Sequence, residues 1–241
     1  MRRKAVNAWT DRAVEEHWDR VARRYVAENR RVAAAHEQRF ERAVRWLELF
    51  PGCSVLNVTS RDCGCYDYIL RSCPTAEVTN AEISGRLIEV AARLRPAARQ
   101  IKLRTYSELP FGSSTFDRLV SLETLEHCAE PARFVSELFR VAKAGAVLVV
   151  SCPPATAELP YRVYSAVCGG HGEGPHRFPA SREVKAMLAE CGWDLTLHEG
   201  TLLLPIGPRL LRDAAESLIA RCQGSFLAEL GIRQFYVAVK R

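Results

Sequence analysis

Residues 109–153 decide the fold, and they read LPFGSSTFDRLVSLETLEHCAEPARFVSELFRVAKAGAVLVVSCP. The run Phe116–Leu122 is apolar enough to predict a buried strand. Pro131–Val141 follows, with apolar residues at helical spacing behind a proline, which predicts an amphipathic helix. Ala146–Ser151 is apolar at almost every position, as expected of a strand that is buried on both faces. A strand, a helix and a second buried strand in this order indicate a parallel sheet.

The same alternation extends to both sides of this stretch. The predicted strands are Ser54–Val58, Glu77–Glu82, Gln100–Arg104, Phe116–Leu122, Ala146–Ser151, Trp193–His198 and Gln234–Lys240. The predicted helices after residue 50 are Cys65–Ser72, Ser84–Leu94, Pro131–Val141, Ser181–Cys191 and Pro208–Cys222. This order predicts an α/β fold with a doubly wound, mostly parallel sheet. Ligands bind such sheets beyond the carboxyl ends of the strands, so the loops that follow the strands are the candidate functional segments.

The first 50 residues form a helical segment of the same domain. The pattern is helical from Asp11 to about Leu49, and Pro51-Gly52 ends it. A chain of 241 residues is long enough for one self-sufficient core. We therefore expect one domain, with a helical segment at residues 1–50 and the core at residues 51–241.

The composition is that of a folded protein without a membrane partner. Hydrophobic residues make up 48% of the chain and charged residues 26%, which is ordinary for a globular protein. The longest apolar runs fall far short of the roughly 20 residues that a membrane helix needs. Polar and charged residues follow Met1–Lys4 where a secretion signal would place an apolar core, so we expect a cytoplasmic location.

Charge and cysteine content exclude two further classes of site. The net charge of +6 is concentrated in residues 1–50, but charges of both signs alternate there along a helical pattern. This favours a solvated helix face, so no nucleic-acid partner is expected. The nine cysteines include no C-x-x-C pair, and Cys63-Gly64-Cys65 lacks the usual spacing of a zinc site. We therefore predict neither a disulfide framework nor a metal site.

Several short motifs of residues 109–153 stand in the order typical of one enzyme family. They are Leu109-Pro110-Phe111, Thr115-Phe116-Asp117, Leu125-Glu126-His127, Glu137 with Arg140-Val141, and Gly145. This string resembles the small-molecule, LEH-motif branch of the class I S-adenosylmethionine-dependent methyltransferases. The resemblance covers roughly residues 14–241. It implies a Rossmann-like fold with a seven-stranded sheet and helices on both faces, S-adenosylmethionine as cofactor, and methyl transfer to a small molecule.

The resemblance also implies which residues hold the cofactor. His17-Trp18-Asp19, followed by Ala22 and Tyr25, is similar to the helix that covers the cofactor in the family, which makes residues 1–50 a lid. The implied set of cofactor-binding residues is Tyr25, Asn57, Thr59, Gly64, Glu82, Ile83, Ser107 and Glu123. In the family the acid at Glu82 accepts both ribose hydroxyls, because its two oxygens match a vicinal diol. The alternative for Glu82 is a solvated carboxylate at a helix start, stabilised by the helix dipole.

The loop after the first strand departs from the family pattern D-x-G-x-G-x-G. Here the residues read NVTSRDCG, so Thr59, Arg61 and Cys63 stand where glycines are expected, and Asn57 replaces the acid. Glycine suits such a loop because the backbone takes positive φ and approaches the cofactor closely. A β-branched threonine resists that conformation, and side chains here would occupy the space of the methionine moiety.

Two interpretations of this loop follow. In the first, Gly64 supplies the turn by a shift of one residue, and the loop still holds S-adenosylmethionine with lower affinity. In the second, the fold is kept while the cofactor pocket is vacated or repurposed. Arg61 would then face an anionic ligand such as a phosphate or a carboxylate, or it would point into solvent.

His127, at the end of the loop after the fourth strand, is the candidate catalytic base. In methyl transfer from a sulfonium the protein mainly aligns the acceptor and excludes water, and a base is needed only for reluctant acceptors. An imidazole can take a proton from such a hydroxyl or ammonium group, or it can serve as a hydrogen-bonding group that fixes the loop. His171, His176 and Tyr161 lie where relatives shape the acceptor pocket; a surface loop or simple packing is their alternative role.

Three functions remain open at this point. The first is an S-adenosylmethionine-dependent methyltransferase that acts on a small molecule, including those of specialised metabolism. The second is a non-methylating enzyme on the same fold that acts on a nucleotide or sugar intermediate, and the third is a non-catalytic partner of a related enzyme. The absence of a recognisable recognition domain favours a small-molecule substrate over a protein or nucleic acid.

Overall fold

A seven-stranded sheet forms the centre of the computed structural model, which describes residues 9–29, 33–162, 174–204 and 208–241. The strands are β1 (Ser54–Val58), β2 (Glu77–Glu82), β3 (Gln100–Lys102), β4 (Phe116–Leu122), β5 (Ala142–Cys152), β6 (Trp193–Thr201) and β7 (Arg233–Lys240). Their order in the sheet is β3-β2-β1-β4-β5-β7-β6. The first five strands pair in parallel, and β7 runs antiparallel to both β5 and β6. The predicted α/β fold, a mostly parallel seven-stranded sheet, is confirmed.

Helices cover both faces of this sheet. They are α1 (Asp11–Asn29), α2 (Ala33–Trp46), α3 (Gly64–Ser72), α4 (Gly85–Leu94), α5 (Pro131–Val141), α6 (Ser181–Glu190) and α7 (Arg209–Arg221), with short 3-10 turns at Ala155–Ala157 and Phe226–Leu230. One core cluster packs residues of α1, α4, α5 and α6 against one face of the sheet, and a second packs residues of α2 and α3 against the other. No helix within the described ranges is both long and apolar enough to cross a bilayer.

Local sequence explains where several helices begin. Ser84 precedes α4 and its hydroxyl accepts a hydrogen bond from the backbone N–H of Leu87, which satisfies a donor that the helix cannot pair. Pro131 occupies the first turn of α5, where its missing N–H costs nothing. On α1, Val14, Trp18 and Ala22 recur every four residues and are buried, so this stripe faces the core.

The structure corrects some predicted boundaries. β5 begins at Ala142 rather than Ala146, because its first residue pairs with Phe116 of β4 before a register shift. β3 ends at Lys102, two residues earlier than predicted, and β6 continues to Thr201. The helical pattern at Asp11–Leu49 corresponds to the helices α1 and α2.

Candidate functional site

The strand order places the candidate site at the carboxyl edge of the sheet. β1 lies between β2 and β4, so the connections turn to opposite sides at this point, which is where doubly wound sheets bind ligands. Helix α1 covers this edge, and its buried residues share a cluster with Ile83, Tyr106 and Leu125, which follow β2, β3 and β4. The space between these loops, the loop after β1 and helix α1 is called the crevice below.

Three residues of the loop after β1 adopt left-handed backbone conformations. The φ angles of Thr59, Arg61 and Cys63 are 58°, 52° and 61°. These are the alternate positions at which the family has glycines. The backbone has therefore kept a glycine-type path with side chains attached, at a cost of about 1–2 kcal/mol for each residue. Thr59 adopts this conformation despite the resistance of a β-branched residue, because the surrounding structure holds it.

The neighbours of the loop impose this conformation. The backbone N–H and the hydroxyl of Ser60 both donate to the carbonyl of Ala81, each at 3.1 Å. The side-chain amide of Gln100 donates to the carbonyl of Arg61 at 2.8 Å, and Arg95 donates to that of Asp62 at 2.7 Å. Strain that persists in an overdetermined loop is typical of a functional site.

Gly64 does not supply the turn by a one-residue shift. It is absent from the residues with positive φ and is the first residue of α3. A side chain at this position would place its Cβ 2.8 Å from the ring of Phe40 on α2. Gly64 thus allows α2 and α3 to pack closely, and the loop follows the unshifted register.

Glu82, at the end of β2, is completely buried and bound by the chain itself. Its carboxylate accepts the backbone N–H groups of Arg61 at 2.8 Å and of Ile83 and Ser84 at 2.9 Å each. A solvated glutamate at a helix start is therefore excluded. The carboxylate joins the loop after β1 to the start of α4, at the place where the resemblance puts the ribose site.

Arg61 lies inside the crevice. Only 7% of the residue is exposed, and its guanidinium carbon lies 3.7 Å from the centre of the Trp18 ring on α1. Its Nη1 is 3.8 Å from a carboxylate oxygen of Glu82. Arg61 therefore does not point into solvent, and the anion that it faces is a carboxylate of its own chain.

Ionisable groups on several sides of the crevice act on the guanidinium of Arg61. Burial by itself lowers the pKa of this guanidinium, but Glu82, with smaller contributions from Tyr106, Tyr25 and Glu126, raises the pKa above its ordinary value. Arg61 is thus a permanent cation held among the loops that follow β2, β3 and β4 and helix α1, which is called the lid helix below.

The remaining implied cofactor residues occupy different surroundings. The Asn57 side chain donates to Asn80 of β2 at 2.9 Å, so it braces two strands and does not enter the loop. Tyr25 is buried against Trp18, and Thr59 lies beside Tyr106. The hydroxyl of Ser107 lies 2.9 Å from that of Thr105.

Glu123 makes its contacts away from Arg61. Its carboxylate accepts from Ser151 of β5 at 2.7 Å and from Arg233 of β7 at 3.2 Å. Its φ is 54°, so it is also a strained residue at the carboxyl edge. Glu123 therefore binds residues of β5 and β7 and takes no part in the contact between Arg61 and Glu82.

An aromatic row connects the lid to the predicted acceptor side. The ring of His127 lies 5.4 Å from that of Trp18 and 6.4 Å from that of His176, and His176 lies 6.4 Å from Tyr161. Three predicted residues are thus brought together, His127, His176 and Tyr161. His171 lies outside the described residues.

His127 is held as a neutral imidazole. It is 2% exposed, and its Nδ1 lies 2.9 Å from the carbonyl of Pro175, so Nδ1 carries the proton and Nε2 is the acceptor nitrogen. Burial, and then the charge of Arg61, holds the pKa of His127 well below its usual range. The hydrogen bond to Pro175 fixes the loop.

This neutral histidine predicts a pH dependence of stability. Because the pKa of His127 is lower in the folded chain, the unfolded chain binds the proton first, and folding stability falls as the pH drops below about 6.5. Between pH 7 and pH 5, His127 accounts for a loss of up to about 2 kcal/mol. His127→Gln is expected to remove this contribution to the loss of stability. The measurement is the difference in urea-unfolding free energy between pH 7 and pH 5. An unchanged pH dependence would show that folding leaves the pKa of His127 unshifted.

Three carboxylates of α1 fasten this helix to the sheet; in the sequence analysis Asp19 appears only as part of a motif, and none of the three is assigned this role. Asp11 accepts from the Thr105 hydroxyl at 2.5 Å and from the Tyr106 backbone N–H at 2.7 Å. Glu15 pairs with Lys102 at 2.6 Å, and Asp19 accepts from the Ser84 hydroxyl at 2.6 Å. The signal was present in the sequence, because acids four residues apart lie on one face of a helix.

Comparison with known proteins adds independent findings. A family model described as a methyltransferase domain matches residues 62–150. Demethylmenaquinone methyltransferase of Symbiobacterium thermophilum is 31% identical over 143 residues, which cover 55% of this chain and 55% of that protein. The chain thus spans about half the length of this curated relative.

Two solved structures share the fold. A S-adenosylmethionine-dependent methyltransferase from Thermotoga maritima superposes with a TM-score of 0.66 at 16% identity, covering 94% of this chain and 99% of that chain. The [4+2]-cyclase SpnF superposes with a TM-score of 0.69 at 17% identity, covering 97% of each chain. At these identities the likeness shows the fold alone.

Proposed function

Because this chain belongs to the class I S-adenosylmethionine-dependent methyltransferase superfamily, we propose that it transfers a methyl group from S-adenosylmethionine to a small-molecule acceptor. S-adenosylmethionine is the cofactor of this superfamily, so the family match agrees with the cofactor that the motifs implied. The acceptor and the activity of the whole protein are part of the proposal.

One feature of the structure supports the proposal independently of the family match. The loop after β1 keeps left-handed residues at all three glycine positions of the family, and it directs the backbone N–H of Arg61 to Glu82. A chain that merely kept the fold would be free to relax this strained path. Retention of both features, under a fastened lid helix, supports a crevice that still serves a ligand.

The crevice does not fit the cofactor while Arg61 is in its present position. Its guanidinium lies between Trp18 and Glu82, where an adenosyl group would need the carboxylate. Two cavities of about 260 and 270 Å³ lie beside α1 and α4 and beside residues 155–162, and neither is lined by Arg61 or Glu82. Cofactor binding by this chain therefore requires a different position of the Arg61 side chain.

The aromatic row supports a small, flat acceptor. Tyr161 and His176 of this row, together with Phe178, are half-buried aromatic rings whose centres lie 5.1–6.4 Å apart, an arrangement that suits a conjugated substrate. The relative from Symbiobacterium thermophilum is named for demethylmenaquinone, a compound with a conjugated ring system. In the proposal, Nε2 of His127 accepts the proton of a hydroxyl acceptor.

A second candidate function is favoured by Arg61 itself. If the guanidinium stays in the crevice, the chain keeps the fold without using the cofactor, as a non-methylating enzyme or as a non-catalytic partner. Binding measurements separate the two candidates, because only the first requires the wild-type chain to take up S-adenosylmethionine.

Calorimetric titration with S-adenosylmethionine and S-adenosylhomocysteine tests the proposed function. We expect saturable heat with ligand concentrations below about 1 mM, the upper end of ordinary Michaelis constants. Transfer of a labelled methyl group to a panel of phenols, quinols and amines would then identify the acceptor class. Absence of heat and of thermal stabilisation with millimolar cofactor would reject the methyltransferase function and favour the second candidate.

A further inference from the structure

We propose that Arg61 is an internal occupant of the cofactor site, a built-in cation that competes with S-adenosylmethionine and sets the affinity of the crevice for it. The inference rests on the proposed function, since it concerns the same site. It makes one residue of the altered loop the main determinant of the affinity for the cofactor.

The first support is the position of the guanidinium. It is stacked on the lid residue Trp18 at 3.7 Å and lies 3.8 Å from Glu82, so it bridges the lid and the end of β2. The whole residue is 93% buried, although arginine is rarely buried without a well-matched partner. A large side chain at the second glycine position therefore fills the space that a glycine would leave open.

The second support is the state of Glu82. Three backbone N–H groups already donate to its two oxygens, and the guanidinium adds a charge beside them. A carboxylate offers about four acceptor sites, so little capacity remains for two ribose hydroxyls. A ligand must displace Arg61 before it can share this carboxylate.

The third support is charge. The crevice presents the acids Glu82 and Glu126 together with the aromatic rings of Trp18, Tyr25 and Tyr106, which together favour a cation. Arg61 supplies that cation from within the chain. A sulfonium ligand carries the same charge, so it would meet repulsion from Arg61 and would lose the carboxylate that Arg61 engages.

The fourth support is that the guanidinium is held without tight hydrogen bonds. Among the described residues, Nη1 of Arg61 has no acceptor within hydrogen-bonding distance, and its nearest carboxylate oxygen is the one at 3.8 Å. Stacking and charge hold the group, and an arginine stem has several rotatable bonds. A ligand can therefore displace the guanidinium. The free energy needed to displace it lowers the apparent affinity for the ligand.

Titration of wild type and Arg61→Gly with S-adenosylmethionine and S-adenosylhomocysteine tests the inference. We expect Arg61→Gly to bind S-adenosylhomocysteine at least about tenfold more tightly than wild type, because glycine both empties the crevice and suits the positive φ. The gain for S-adenosylmethionine should be larger, since removal of the cation leaves Glu82 and Glu126 to attract the sulfonium.

Cys63→Gly is the matched control. It also restores a family glycine at a positive φ, but Cys63 packs against Ala91 and Ala98 behind the loop and its removal does not empty the crevice. We expect its affinity to stay within about threefold of wild type. Arg61→Ala serves as a second crevice variant if Arg61→Gly fails to fold.

The outcomes separate the inference from the proposed function. Tighter binding by the Arg61 variants alone supports the inference, whether wild type binds weakly or not at all; in the latter case the proposed function fails. Equal affinity of wild type and the Arg61 variants overturns the inference while leaving the function in place. Absence of binding by every variant overturns both, and an equal gain in Cys63→Gly shows that loop flexibility rather than occupancy limits binding.

Discussion

Glu82→Ala is expected to lower the free energy of unfolding by about 3–5 kcal/mol, the usual effect of removing one partner of a buried ion pair. The substitution leaves the guanidinium of Arg61 without its nearest carboxylate and three backbone N–H groups without an acceptor. Urea denaturation at pH 7 measures the loss. Arg61→Ala should cost less, because Glu82 keeps its three backbone donors when the cation is removed.

Glu77→Ala is the control for this prediction. Glu77 begins the same strand but is exposed, so its removal should change stability by no more than about 0.5 kcal/mol. A loss below about 1 kcal/mol for Glu82→Ala would mean that Glu82 is a solvated residue at a helix start, and the description of the crevice would be wrong.

Asp11→Ala is expected to detach the start of the lid and to destabilise the chain by about 3 kcal/mol. Its carboxylate accepts hydrogen bonds from the loop after β3, at Thr105 and Tyr106, and from Ala129 in the loop after β4. Hydrogen bonds to a charged group contribute about 1.5–3 kcal/mol each, although not additively. Hydrogen exchange of the α1 amides and of the Tyr106 amide should become faster, because these groups lose a shared anchor.

Arg12→Ala provides the comparison for Asp11→Ala. Arg12 is the next residue on the helix and pairs with Glu16 on the solvent side, where the two side chains are 84% and 57% exposed. Such a surface pair contributes little, so stability and exchange should stay close to wild type. Equal effects of the two substitutions would show that Asp11 does not fasten the lid.

Much of the fold could be predicted because its signals are local. β1, β2, β4 and α5 have the predicted bounds, since turn residues and changes of period mark their ends. The start of β5 could not be predicted, because Ala142 joins the strand by pairing with Phe116 of a neighbouring strand. Pairing between strands is a tertiary property that residue patterns do not carry.

The position of the candidate site could be predicted from the sequence, but the contacts of its side chains could not. The order of strands and the motif register located Glu82, the loop after β1 and the lid helix. The direction of the Arg61 side chain depends on Trp18 and Glu82, which are distant in sequence. The loop sequence alone therefore could not show whether Arg61 faces solvent, a bound anion or a carboxylate of its own chain. The three acids of α1 were visible at a spacing of four, but their partners become apparent only when the strands are ordered.

The most direct test of the account is a double-mutant cycle between Arg61 and Glu82. The unfolding free energies of wild type, Arg61→Met, Glu82→Gln and the double variant give the coupling between the two side chains, and Arg12 with Glu16 provides a surface pair for comparison. If Arg61 occupies the crevice beside Glu82, the coupling should be about 1–3 kcal/mol, well above that of the surface pair. A coupling within about 0.3 kcal/mol of zero would place Arg61 outside the crevice and contradict the account.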